Sequence, residues 1–327
     1  MSSLNGAGRR AEPSEAQMER WSSAFRSTLA ETRAAKRRRR IRAVGVAASV
    51  LIAATLLVVY RPFQDPPPAL IADVSVVLGA GQLLRPNEAE RPLQTGDPLL
   101  VGDRLRTDDH GGVGLTFQRT DVRLGAATEV LLHPGGIELL RGMVYVDTGS
   151  PEHPQTSFAI MTRLGSVSHV GTRYLVALDD GQLVSAVREG RIVVVTGTER
   201  RLELASDGRG TELVRLRHDG SVTREQTALH DDMWKWVSAL STGIVVAGRS
   251  PQEVLIWVAR ETGRTVHYAD DQAAAIAAAD RLSGSSVRLS AEQALRVVST
   301  STRLAVETSE AGTLSVALDS EDEKNSH

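Results

Sequence analysis

The reactive side chains of this 327-residue chain carry only oxygen and nitrogen, because it contains no cysteine. Thiol nucleophiles, thiolate metal sites and disulfides are excluded at once. Eight histidines are scattered along it: His110, His133, His153, His169, His218, His230, His267 and His327. None pairs at i, i+3 or i, i+4 in a way that would make a metal site. No GxSxG elbow occurs, and Gly79-Ala80-Gly81 is not followed by the helix that a dinucleotide-binding turn needs. Adjacent acids such as Asp108-Asp109 and Asp179-Asp180 fall among turn residues, where solvated turns explain them better than acid–base pairs. Catalysis on a diffusible substrate is not indicated, nor is a cofactor or a metal.

What remains is position, and it is organised by one apolar run, residues 41–60, IRAVGVAASVLIAATLLVVY. About 20 apolar residues suffice for a helix to cross roughly 30 Å of hydrocarbon. Arg33, Lys36, Arg37, Arg38, Arg39, Arg40 and Arg42 stand before or at its start, whereas Arg61 alone follows closely. Cations stay on the cytoplasmic side. A single-pass helix is therefore expected, with residues 1–40 inside and 61–327 in a bacterial periplasm. A cleaved signal peptide fits less well, since the leading segment is long and no small-x-small site follows. Residues 1–42 hold eleven Arg/Lys against four Asp/Glu, and the remainder 27 against 36. That acidic bulk argues against direct nucleic-acid binding.

In the leading segment, Ser14 to Gln17 reads as a capping box. Met18, Trp21, Phe25 and Leu29 then fall on one helical face. So narrow a stripe needs a partner, a second copy or the membrane surface. Residues 61–73 are proline-rich and read as a stiff spacer.

From 74 to 227 the pattern becomes β, with short apolar runs broken by Gly, Asp and Asn. Predicted strands include Val74–Leu78, Pro98–Leu105, Gly112–Phe117, Gly136–Leu140, Met143–Asp147, Ser166–Val170, Tyr174–Leu178, Leu183–Ala186 and Arg191–Val195. Aromatics make up only 4% of the chain, so aliphatic residues must fill the core. An all-β domain follows, with a connector at 228–242. Residues 243–319 contain a repeat: Ser250-Pro251-Gln252-Glu253 falls on Ser290-Ala291-Glu292-Gln293, and both are capping boxes. With the apolar stretches on either side, this reads as β-α-β twice, a small α+β domain before a polar tail, 320–327. The whole is a mixed fold. Sheets so small leave exposed edges that template strand addition, and the last strand, with Leu314, Val316 and Leu318, or the strand with Ile244 and Val246, is expected to dock a partner.

Several stretches carry a resemblance: Ile137 to Val146 (IELLRGMVYV), Phe158-Ala159-Ile160, Val167 to Val176 (VSHVGTRYLV) and Val187 to Val194 (VREGRIVV). In this order, after one span, they resemble FecR-type (ferric-citrate-regulator) membrane anti-sigma factors, and the repeat resembles the short secretin/TonB-type domain. The resemblance implies a cytosolic extracytoplasmic-function sigma factor held by Met18, Trp21, Phe25 and Leu29. It also implies a signal from an outer-membrane TonB-dependent transporter whose signalling domain docks on the C-terminal repeat, and hence a role in iron uptake and transcription regulation. The leading segment is shorter than the family's usual sigma-binding domain. Some members cut themselves at a Gly-Thr bond, and Gly171-Thr172 lies in the matching element. His169, three residues before Thr172 on a strand, would face the other side. A periplasmic adaptor without a sigma partner is the alternative reading.

Overall fold

The computed structural model describes residues 69–149, 158–284 and 286–319. The apolar run 41–60, the stripe of Met18, Trp21, Phe25 and Leu29, and the tail 320–327 lie outside the described residues. Among the described residues no helix is long and apolar enough to cross a membrane.

The short apolar runs become strands of one hydrogen-bonded sheet. They are β1 (Leu70–Leu78), β2 (Gly81–Leu84), β3 (Arg91–Pro92), β4 (Pro98–Leu100), β5 (Arg104–Thr107), β6 (Gly112–Phe117), β7 (Thr120–Leu124), β8 (Glu129–His133) and β9 (Gly136–Asp147). After them come β10 (Ala159–Thr162), β11 (Gly165–Asp179), β12 (Gln182–Thr196), β13 (Arg201–Ser206), β14 (Thr211–Arg217) and β15 (Val222–Thr227). Strand β1 begins at Leu70, inside the expected spacer. The run Pro98–Leu105 divides into β4 and β5, because Gly102 takes φ +89° and the Asp103 carboxylate closes the turn onto the Leu100 N–H at 2.8 Å.

Three pairs of predicted strands are in fact three long strands, β9, β11 and β12. Each contains a glycine in the left-handed region: Gly142 (φ +88°), Gly171 (φ +58°) and Gly190 (φ +84°). At each, the inward-facing set changes phase. In β9 it runs Ile137, Leu139 and then Val144, Val146; in β11, Val167 and then Tyr174, Val176, Leu178; in β12, Leu183, Val187 and then Ile192, Val194. A bulge residue does this, since one extra residue moves every later side chain to the other face. Both halves of each strand can then bend around one core.

Strand β11 has 15 residues and would span roughly 50 Å if straight. Yet Arg163, just before its start, donates to the Asp179 carbonyl at its end, at 2.6 Å. The strand is doubled over. Its first half pairs with β10 and the second half of β12; its second half pairs with β9 and the first half of β12. The three glycines thus mark a corner line across the sheet.

The connector folds as a 3-10 turn (Asp232–Trp234) and helix α1 (Lys235–Ala239). Trp234 and Val237 cover the outer face of the sheet with Tyr145, Leu175, Ala186 and Leu213. The C-terminal domain comprises α2 (Pro251–Thr262), β16 (Thr265–Tyr268), α3 (Asp271–Ala279), α4 (Ala291–Ser301), β17 (Leu304–Thr308) and β18 (Thr313–Leu318). Both capping boxes form, Ser250 with Glu253 and Ser290 with Gln293, which is why the two helices start where the repeat places them. The described residues pack as one unit.

The expected docking strands are corrected here. The sheet order is β16-β18-β17, so the strand of Leu314, Val316 and Leu318 is central, with its backbone already paired on both sides. Leu314 and Val316 are fully buried. Ile244–Ala247 is not a strand; it makes a single antiparallel bridge, Ile244 to Leu289, and the Ile244 and Val246 side chains lie in the domain core.

Candidate functional site

Thr172 follows the Gly171 bulge and is buried to 1% exposure. Its N–H donates to Thr148 Oγ1 at 2.8 Å, and its carbonyl accepts from Thr148 N and Oγ1 at 3.1 and 3.2 Å. Its hydroxyl donates across the corner to the Arg191 carbonyl at 3.3 Å. Among the described residues no titratable side chain hydrogen-bonds that hydroxyl. His169 sits elsewhere: its Nε2 accepts the Phe158 N–H at 3.3 Å and its ring stacks on Tyr174 at 5.8 Å.

Burial lowers the His169 pKa, and protonation would set one N–H against another. The folded form therefore binds this proton more weakly than the unfolded form does. Stability from neutral His169 should be complete above the ordinary histidine pKa of about 6.5 and decline as pH falls below it. NMR titration should place His169 below the ordinary range, and His169→Gln, which keeps an acceptor, should flatten that part of the stability–pH curve. An unchanged curve would remove His169 as its source.

On the other side of Thr172 stands Arg173, and just before Gly190 stand Arg188 and Glu189. Arg173 and Arg188 reach the C-terminal end of α2. A helix leaves its last carbonyls without intrahelical partners and carries partial negative charge there. In α2 the β domain supplies the missing donors. Arg173 donates to the Arg260 carbonyl, and Arg188 donates to the Glu261 carbonyl at 3.3 Å. Arg173 Nε also holds Glu189 at 2.8 Å. Side chains of α2 answer in the opposite direction: Arg260 Nη2 grips Asp147 at 2.9 and 3.2 Å, and Glu261 Oε2 accepts from Arg123 Nη1 at 2.8 Å.

Arg123 is 2% exposed. Besides Glu261 it reaches Asp121 through Nε at 3.0 Å and the Val237 carbonyl at 2.8 Å, and it lies 5.3 Å from the Tyr145 ring. Burial by itself would favour its neutral form, but Asp121 and Glu261 outweigh that and hold the proton more tightly than usual. Arg188 has no such carboxylate; it is held by the Leu229 carbonyl, by the Glu261 carbonyl and by the face of Trp234 at 4.6 Å. Burial pushes its pKa down to about 10, which leaves it charged at neutral pH.

The corner and this junction form one site. Arg173 and Arg188 flank the bulges of β11 and β12, and each has a hand on α2. Sequence reading found Gly171 and Thr172 but missed Arg123, Asp147, Arg173, Arg188, Arg260 and Glu261. An arginine at an alternate position of a strand looks solvent-facing, so nothing in the pattern marked them.

Residues 103–193 match the FecR protein family model, so the chain carries a FecR-type domain over the strands that build the corner. Among solved structures, the chain is similar to two crystal structures of a candidate anti-sigma factor from Parabacteroides distasonis ATCC 8503, at 2.50 and 1.65 Å resolution. Both show 17% identity and a TM-score of 0.34. The first covers 66% of this chain and 98% of its own, the second 65% and 97%. Among curated proteins no sequence matches.

Proposed function

We propose that the chain is a single-pass inner-membrane anti-sigma regulator, not an enzyme acting on other molecules. Residues 1–40 hold an extracytoplasmic-function sigma factor through Met18, Trp21, Phe25 and Leu29, and residues 41–60 span the membrane. The FecR-type domain and the C-terminal domain lie in the periplasm and receive the signal from a TonB-dependent transporter's signalling domain. The observation that carries this reading is the FecR match at 103–193, on a domain whose corner is tied by Arg173 and Arg188 to the helix of the following domain. A partner seated on the C-terminal domain would pull on those two strands directly.

The test has two arms. Reporter fusions after residue 35 and after residue 230 should report opposite compartments; a cytoplasmic signal from the later one overturns the topology. The full-length chain should co-purify with a sigma factor from its native host and lose it on Trp21→Ala/Phe25→Ala substitution. Retention by that variant overturns the assigned contact.

Gly171–Thr172 is, within the same reading, the bond at which the chain would cut itself, favoured by the left-handed Gly171 that precedes a buried threonine. The Thr172 oxygen attacks the Gly171 carbonyl carbon, the C–N bond breaks, the freed nitrogen becomes the amine of Thr172, and water opens the ester. Wild-type protein in its native envelope should give two fragments and Thr172→Ala one full-length band. A wild-type chain that stays whole removes self-cleavage and leaves the regulator reading intact.

A further inference from the structure

Beside the bridge between Ile244 and Leu289 the C-terminal domain has a cleft of about 340 Å³, within the size range of ligand sites. It is lined by the stretch Thr242 to Val245 with Arg249, Glu253, Trp257 and Arg288. Ile244 exchanges both backbone hydrogen bonds with Leu289, at 3.0 and 2.8 Å. Gly243, which has φ +74°, gives its N–H to Ser241 Oγ at 3.2 Å, and the carbonyls of Gly243 and Val245 are each met by an arginine. Arg288 Nη1 donates to the Gly243 carbonyl at 3.0 Å, and Arg249 Nε donates to the Val245 carbonyl at 2.9 Å.

Each guanidinium has five N–H donors, and one is used in each of these contacts. Neither arginine has a carboxylate at ion-pair distance among the described residues. Glu253, the acid in the cleft, is committed to the helix cap, where its Oε2 accepts the Ser250 N–H at 2.7 Å. That bond first, and Arg249 and Arg281 after it, keep its carboxyl below the usual range. The cleft thus offers two partly used arginine forks beside the Trp257 ring. Trp257 forms part of the cleft wall, and Ile256 beside it on α2 is 56% exposed.

We infer that this cleft binds an extended peptide segment of a partner protein that carries two carboxylates two residues apart. The spacing comes from the anchors. Gly243 and Val245 flank the bridged Ile244 and stand at most about 7 Å apart, which matches the repeat of side chains on one face of a strand. An acidic partner segment laid in extended form over these two anchors places one carboxylate at each arginine in charge-assisted, bidentate fashion and an apolar residue against Trp257. The inference rests on the cleft alone and stands whether or not the chain binds a sigma factor.

The test uses the full-length chain and a fluorescein-labelled peptide, Ser-Val-Glu-Val-Glu-Val-Ser, beside its Gln-for-Glu counterpart. Saturable binding of the acidic peptide is expected, weaker by at least about tenfold for the neutral one, as loss of two charge-assisted contacts requires. Arg249→Gln/Arg288→Gln should lose as much, with an unchanged melting curve as the control for folding. Equal binding of the two peptides to the wild-type chain overturns the inference whatever the variant does. Glutarate separates the sources of carboxylate: full displacement at matched concentration would assign the cleft to a small acid and overturn the peptide. A chain ending at Asp319 lacks Glu321-Asp322-Glu323. Binding gained only by that truncation would make the chain's own tail the occupant and overturn the partner.

Discussion

Arg123→Met is expected to destabilise the protein by about 3–5 kcal/mol, the usual cost of removing one partner from a buried ion cluster. The guanidinium is 2% exposed and Glu261 8% exposed, so the carboxylate left behind has little water to turn to. The loss should be local in its consequences, because Arg123 joins β7 to α2 and to the Val237 carbonyl in one reach. Limited proteolysis should open first between the β domain and the C-terminal domain. The companion variant decides the cause. In Arg123→Met/Asp121→Asn/Glu261→Met the guanidinium and both carboxylates that it holds are gone, and replacing a buried ion cluster by uncharged residues is often close to neutral, so urea unfolding should recover most of the lost stability. If the triple variant is as weak as the single one, the ion cluster is not the origin of the effect and lost packing against Tyr145 is.

Gly190→Ala should cost about 2–5 kcal/mol, from left-handed strain and overpacking together. Gly190 has φ +84°, and a Cβ there would stand 2.2 Å from the Gly171 carbonyl oxygen and 2.9 Å from Thr172 Cγ2. Backbone fills that space, so the corner itself must move. Gly220 gives the control, since its φ is +82° but nothing lies within 4 Å of its would-be Cβ. Gly220→Ala should therefore cost only about 1–2 kcal/mol. Thermal unfolding of the two variants side by side separates backbone strain from steric conflict. Equal losses would mean that the corner tolerates a methyl group and is not tightly closed.

Local chemistry was legible in the sequence and long-range pairing was not. The boxes at Ser250 and Ser290 are satisfied within four residues, so their start signals could be read directly and both hold. The runs on either side of Gly142, Gly171 and Gly190 could also be read, yet they looked like separate strands because a bulge breaks the alternation that defines one. The phase change of the buried set, Ile137 and Leu139 to Val144 and Val146, is the trace a bulge leaves. The central place of β18 had no local signature, since strand order is decided by packing on α2 and α4. The junction was hardest to see: Arg123 and Glu261 are 138 residues apart, and each has an unremarkable neighbourhood in sequence.

The position of β18 also sets a timetable. It is the last strand of the described chain, and both β16 and β17 bond to it and not to each other. A chain emerging vectorially, from a ribosome or across a membrane, therefore carries two unpaired strands until Leu318 is out. The corner domain lies wholly upstream and can fold while this happens, since domains tend to form in the order in which they are made. Arg173 and Arg188 would wait, already in place, for a helix whose own sheet is unfinished. A stalled or clipped chain would keep Arg173 on Glu189 and Arg188 on Leu229 and Trp234 but leave both without their acceptors on α2, so the junction is completed last.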